Sequence, residues 1–173
     1  MILYRHIGVS RYGDFLLLNN LTFYLKSHNI IKSPGQCLIK RQCIPVEWQR
    51  YIMKTNGADD LFLWILLLEK SYKFAINKAP SIANKLNFNA AFKKAKENLS
   101  ESEEKMTISS LEIVDCLKKV DYVPKKDVYE LKRTREFSLK LRKEKGLKRV
   151  LIMVRNFDLV MYLGVNKIKR KLF

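Results

Sequence analysis

The longest apolar run in the chain is eight residues, Leu61 to Leu68, and charged residues close it at both ends, at 59–60 and 69–70. A segment that crosses a bilayer needs about twenty apolar residues, so this run predicts a helix buried inside the protein. We expect the helix to begin at Asp59 or Asp60 and to reach about Lys78, because Pro80 stops it.

Two further helices are predicted in the middle of the chain. Ser81 can cap a helix over 82–99, whose apolar residues follow the helical period: Phe88, Phe92, Ala95 and Leu99. The segments at about 60–79 and 82–99 would form a helical hairpin. Ser109 and Glu112 have the spacing of a capping box, which predicts another helix over 110–120.

The N-terminal region has strand-like and helix-like patterns in short pieces. Residues 2–9 alternate like a strand, and Asn20 is placed to cap a short helix. The segment Gln36 to Ile44 is a candidate strand, and Pro45 suits the first turn of a helix that follows it. We therefore expect antiparallel sheet from this region.

After Pro124 the apolar pattern changes to one typical of strands. Phe137, Leu139 and Leu141 alternate with polar residues, and 144–146 predicts a turn in which Gly146 takes a positive φ. The apolar runs 150–154 and 159–165 resemble strands covered on both faces. The three segments predict a three-stranded antiparallel meander. Residues 125–134 fit either a helix or an extension of the first strand.

Together these patterns predict an α+β fold in a single basic domain over 1–173. An apolar fraction of 47% excludes a wholly disordered chain. Residues 98–110 are expected to form an exposed acidic loop, and 166–173 a basic tail. The serines and glutamates of 100–104 suit a solvated loop, with a phosphoacceptor site or a flap over the basic surface as alternatives.

Positive charge is abundant and unevenly distributed. The chain has 34 Lys and Arg against 17 Asp and Glu, a formal net charge of +17. Residues 124–173 hold 16 of the basic and 5 of the acidic side chains, and therefore 11 of the 17 excess charges. One end of the molecule is thus strongly positive, which favours a polyanionic partner.

The basic residues near the C-terminus form two groups, one around the predicted hairpin and one in the tail. We predict that they bind nucleic acid, because each neutralised phosphate releases a condensed counterion. A merely solvated face, and contact with an anionic membrane or acidic protein, are the alternatives. The residues are Lys140, Arg142, Lys143, Lys145, Lys148, Arg149, Lys167, Lys169, Arg170 and Lys171.

Catalytic and metal-binding patterns are sparse. The chain has three cysteines, Cys37, Cys43 and Cys116, and two histidines, without the spacing of a zinc site, so no metal or other cofactor is expected. An ExK string at Glu130–Lys132, with Asp115 or Asp121 upstream, resembles the metal-dependent nuclease pattern. Such a short string arises readily by chance in a lysine-rich chain, so a nuclease is only a distant alternative.

The leading hypothesis is a non-enzymatic structural component of a ribonucleoprotein, either ribosomal or associated with a viral nucleocapsid. RNA is favoured over DNA because no base-reading motif is present. Other assembly proteins are expected partners, and a small-molecule substrate is not. The alternative is a viral matrix-type protein that bridges membrane and nucleocapsid through apolar residues such as 15–18 or Phe173. Free thiols favour an intracellular reducing compartment (cytoplasm, organelle matrix or virion interior), neither secreted nor transmembrane.

Overall fold

A computed structural model describes the backbone of residues 9–12, 15–27, 37–54, 58–77 and 105–172. Side chains are described for 17–27, 37–54, 58–75 and 105–165. The elements in chain order are β1 (Val9–Tyr12), β2 (Phe15–Leu18), α1 (Leu21–Lys26), α2 (Val46–Arg50), α3 (Asp59–Glu69), β3 (Phe74–Asn77), α4 (105–117), α5 (Lys125–Lys143), α6 (Gly146–Arg155) and α7 (Phe157–Leu172).

Helix α3 is the centre of the core, as the apolar run predicts. All residues from Leu61 to Leu68 are buried, and a helix that is apolar on every side has no face suited to water. The helix begins at Asp59 as predicted but ends at Glu69 instead of near Lys78. Ser71 has a φ of 62°, a left-handed conformation that ends the helix and directs the chain into β3. The predicted partner helix at 82–99 lies outside the described residues.

A three-stranded antiparallel sheet in the order β1-β2-β3 packs beside this helix. Leu18 pairs with Val9 on one side and with Phe74 on the other. The Phe74 ring lies 5.4 Å from the Trp64 ring, measured between centroids, in an edge-to-face arrangement. Most of the strand predicted over 2–9 lies outside the described residues. The strand predicted over 36–44 is wrong in its described part, where Arg41–Cys43 form a 3-10 turn.

The helix-start signals at Asn20 and Pro45 are confirmed, and the one at Ser109 is wrong. The Asn20 side chain accepts a hydrogen bond from the Phe23 amide at 3.1 Å, which caps α1. Pro45 immediately precedes α2. The capping box is wrong, because Ser109 is buried inside α4, which already includes 105–108 and ends at 117 rather than 120. The 105–110 part of the predicted acidic loop is therefore helical, and 98–104 lies outside the described residues.

The predicted C-terminal meander is wrong, because residues 125–172 form the three helices α5, α6 and α7. The alternation from Phe137 to Leu141 spans too few residues to exclude a helix. Most of α5 consists of Lys, Arg, Glu and Leu, which favour helices. Val128 and Leu131 are buried while Tyr129 is 62% exposed, as a helix requires. The α+β class is thus corrected to a mostly helical fold, in which the described residues form one small sheet.

Two arginines of α5 form polar contacts with other helices. Arg135, 7% exposed, donates hydrogen bonds to the carbonyl oxygens of Tyr24, at 3.1 Å, and Ser27. These carbonyls belong to the C-terminal end of α1, where a cation is favourable. Burial lowers the pKa of Arg135 to about 10, so the guanidinium stays charged at neutral pH. Arg133 forms a two-pronged salt bridge with Asp158, which joins α5 to α7.

Candidate nucleic-acid interface

The six basic residues of the predicted hairpin lie at the junction between α5 and α6. Three are in the last turn of α5, one is between the helices and two are in the first turns of α6. The β-ribbon predicted to carry them is wrong, but all six side chains are exposed. We call this set the basic turn: Lys140, Arg142, Lys143, Lys145, Lys148 and Arg149.

The backbone reverses at the basic turn through two extended residues and a glycine. Glu144 and Lys145 have β-region dihedral angles, and the Glu144 amide donates to the Lys140 carbonyl at 3.0 Å. Gly146 follows with a φ of +56°, a conformation that a Cβ atom disfavours. The predicted positive φ at Gly146 is confirmed, although it serves a turn between helices. The turn brings the ends of two helices, and therefore their basic residues, together.

Three acidic side chains of α5 and α7 pair with bases outside the basic turn. Glu130 lies 3.3 Å from the Lys26 ammonium, and Glu136 lies 3.7 Å from that of Lys132. The hydrogen bond from Arg133 lowers the pKa of Asp158. Between residues 140 and 149 the only carboxylate is the half-buried Glu144.

Five of the basic-turn side chains form no ion pair with any residue that the structure describes. Among the described residues, no ion pair involves Lys140, Lys143, Lys145, Lys148 or Arg149. Their positive charges are separated by a few residues along a single turn. Such an arrangement raises the local potential and attracts anions, most strongly polyanions.

The second predicted group of basic residues lies in helical backbone. Helix α7 continues to Leu172 and includes Lys167, Lys169, Arg170 and Lys171. The side chains of these four residues are outside the described part of the structure. That these four side chains bind nucleic acid together with the basic turn therefore stays a prediction.

The ExK string of the nuclease alternative lies on α5, where its side chains have structural partners. Glu130 lies between Lys26 and Arg133, and Lys132 pairs with Glu136. The Asp115 carboxylate accepts a hydrogen bond from Lys118 at 2.8 Å, which lowers its pKa. Within the described ranges, no group of three or more His, Cys, Asp or Glu side chains is placed to hold a metal ion.

Cys37, Cys43 and Cys116 form no disulfide with one another, and all three are half-buried. Burial raises the pKa of Cys37 and of Cys116, which keeps both thiols protonated and weakly nucleophilic near neutral pH. His6 and His28 are outside the described residues.

An exposed apolar stripe on α6 was missed by the sequence analysis. Leu147, Val150, Leu151 and Val154 are between 48% and 76% exposed. Their spacing of three, four and seven residues places them on one side of a helix. The spacing was visible in the sequence, but the run from Val150 to Val154 also fits a buried strand. No helix in the described ranges is long and apolar enough to cross a membrane.

Comparison with known proteins identifies no relative: no protein-family model matches the chain, and neither a curated protein nor a solved structure shows significant similarity to it.

Proposed function

We propose that the protein is a non-enzymatic, RNA-binding structural component of a ribonucleoprotein and that the basic turn contacts the RNA backbone. The observation that carries this proposal is the group of exposed basic side chains at one turn, five of which form no ion pair among the described residues. Lysines and arginines held close together in this way release counterions when they meet phosphates, which favours binding at moderate salt.

The alternative explanation of a purely solvated surface accounts less well for the distribution of charge. On a solvated helical surface, oppositely charged residues commonly alternate and pair, as they do along the first part of α5. The basic turn has six bases and one acid within ten residues. Concentrated like charge of this kind repels itself, and a bound polyanion removes the repulsion.

The proposed binding is to backbone and shape rather than to base sequence. No zinc-finger, RNP or basic-zipper motif is present in the chain. Contacts from lysine and arginine to phosphate position a protein on nucleic acid but carry no sequence information. Structured RNA within a larger assembly is the partner that suits this mode.

The test measures the salt dependence of binding to a labelled RNA duplex by fluorescence anisotropy. In the double variant Lys148→Ala/Arg149→Ala, the slope of log K against log salt should decrease by about two units, at about 0.9 per lost phosphate contact. The matched control is Lys125→Ala/Lys126→Ala. It removes the same charge from two exposed lysines at the N-terminal end of α5, a helix about 28 Å long, whereas the basic turn lies at and beyond its C-terminal end.

The two variants distinguish a local site from general electrostatic attraction. The proposal requires a clear decrease in slope for the basic-turn variant and little change for the control. Equal decreases would mean that only net charge matters, and an unchanged slope in the first variant would place the RNA surface elsewhere. Arg170→Ala/Lys171→Ala extends the test to the end of α7, where the same contacts predict a decrease of about one to two units.

A further inference from the structure

The exposed apolar stripe of α6 has no partner within the described structure. Leu147 is 76% exposed and Val154 is 66% exposed, although both residue types are usually buried. Successive residues of an α-helix are rotated by about 100° around its axis. With this rotation, the four stripe residues fall within a sector about 100° wide. The half-buried Ile152 and Met153 lie outside this sector, so the stripe points away from the side of the helix that packs on the protein.

The same spacing continues beyond the end of α6. Phe157, Met161 and Val165 follow Val154 at intervals of three, four and four residues, and they are 64%, 49% and 40% exposed. Asn156 interrupts the helix between the two parts, and its amide donates to the Ile152 carbonyl at 3.2 Å. The apolar pattern thus includes both helices and amounts to more than isolated surface residues.

Basic residues border the apolar stripe. Lys148 and Arg155 lie on α6 just outside the edge of the stripe, and Lys145 precedes its first turn. No acidic residue occurs within Gly146–Arg155. A second copy of the chain would bring the same positive charges against each other, and each copy has a net charge of +17. The charges therefore favour an anionic partner over self-association.

We propose that α6 docks on the surface of a bilayer that contains anionic lipids, with its apolar stripe inserted among the acyl chains and its basic residues at the headgroups. An amphipathic helix with lysine and arginine beside an apolar face binds in this way. The strong exposure of Leu147, Val154 and Phe157 favours a bilayer over an acidic protein helix, because side chains that protrude form no groove for a helix. This function is separate from RNA binding, although both use Lys148.

The test is sedimentation of the full chain with vesicles of phosphatidylcholine alone and of phosphatidylcholine with phosphatidylserine. We expect binding only to the anionic vesicles, weakened by added salt. The variant Leu151→Ser/Val154→Ser should reduce the fraction bound at least about tenfold, because it removes apolar area from the inserted face. The matched control is Leu38→Ser/Ile52→Ser, which changes two other strongly exposed apolar residues and should bind like the wild type.

Other results would overturn the proposal. The wild type could fail to bind anionic vesicles, or the two variants could lose binding equally. The protein could also form a dimer without lipid that Leu151→Ser/Val154→Ser dissociates, and a second copy of the chain would then be the partner of the stripe. The same variant in the RNA titration should leave the salt slope unchanged. A decrease in the salt slope of this variant would assign the stripe to RNA binding. A decrease that occurs only in Lys148→Ala/Arg149→Ala would bear on the proposed RNA binding by the basic turn and leave the membrane proposal untouched.

Discussion

Helices α3 and α6 are both rich in aliphatic residues along their central turns, but the middle of α3 is buried and α6 is largely exposed. Every residue of α3 from Leu61 to Leu68 is buried, whereas α6 has no buried residue. Charges on α3 occur only at its ends, so the whole circumference of its middle section can face protein. In α6, Lys148 and Arg149 interrupt the apolar sequence, and burying them without partners would be costly. The difference shows that the position of a few charges decides which apolar helix becomes core.

The largest effect is expected from truncation in the buried helix. Leu67→Ala should lower the free energy of unfolding by about 2 to 5 kcal/mol, because the side chain is 3% exposed and its removal leaves a cavity. Urea denaturation measures this change. A loss below about 0.5 kcal/mol would contradict the assignment of α3 to the core.

A smaller effect is expected where α6 begins. Gly146→Ala should destabilise the protein by about 1 kcal/mol, because a φ of +56° disfavours any residue with a Cβ atom. Gly164→Ala in α7 is the matched control, since a Cβ there meets nothing within 4 Å and its φ is not positive. Alanine at 164 should stabilise the helix by up to about 1 kcal/mol. Thermal unfolding that shows the same sign for both variants would contradict the turn geometry.

The end of α3 provides a pH-dependent test. Burial, and next the nearby Asp127, raise the pKa of Glu69 to about 7. A raised carboxyl pKa means that the favourable contribution of Glu69 is complete below its unfolded pKa of 4.5 and is lost as pH rises through 7. Glu69→Gln should therefore be more stable than the wild type at pH 8. The difference in the free energy of unfolding should disappear as pH falls toward 4.5.

Chemical denaturation of both proteins across this pH range checks the prediction for Glu69. Asp115→Asn is a control of opposite sign, because the hydrogen bond from Lys118 lowers the pKa of Asp115. That control should be less stable than the wild type at neutral pH, and the difference should diminish as pH falls through the folded pKa. A pH-independent difference for Glu69→Gln would mean that the carboxyl is well solvated.

The smallest effect on stability is expected on the exposed stripe. Leu151→Ser should change the free energy of unfolding by no more than about 0.5 kcal/mol, since half of the side chain is already exposed. Paired with Leu67→Ala, it compares two leucines on two helices under the same denaturant. A large loss at Leu151 would show that α6 is covered by other parts of the protein, and the contrast between the helices would fail.

Local features of the sequence were the easiest to predict because each depends on neighbouring residues. The cap at Asn20, the start of α3 at Asp59 and the positive φ of Gly146 all follow from short-range geometry. The basic turn was also identified residue by residue, because charge requires no fold to be counted. The sequence did not reveal that these residues lie at a turn between two helices, since the alternation from Phe137 to Leu141 fits a strand as well as a helix.

The sequence by itself determined that Leu61 to Leu68 are buried and that positive charge is concentrated near the C-terminus. The tertiary structure decided that residues 125–172 are helical and that the α6 stripe faces outward. Contacts between distant residues stabilise that arrangement, such as Arg135 with the carbonyls of α1 and Arg133 with Asp158. Local patterns cannot encode such contacts, because they join residues that are 25 to 111 positions apart in the chain.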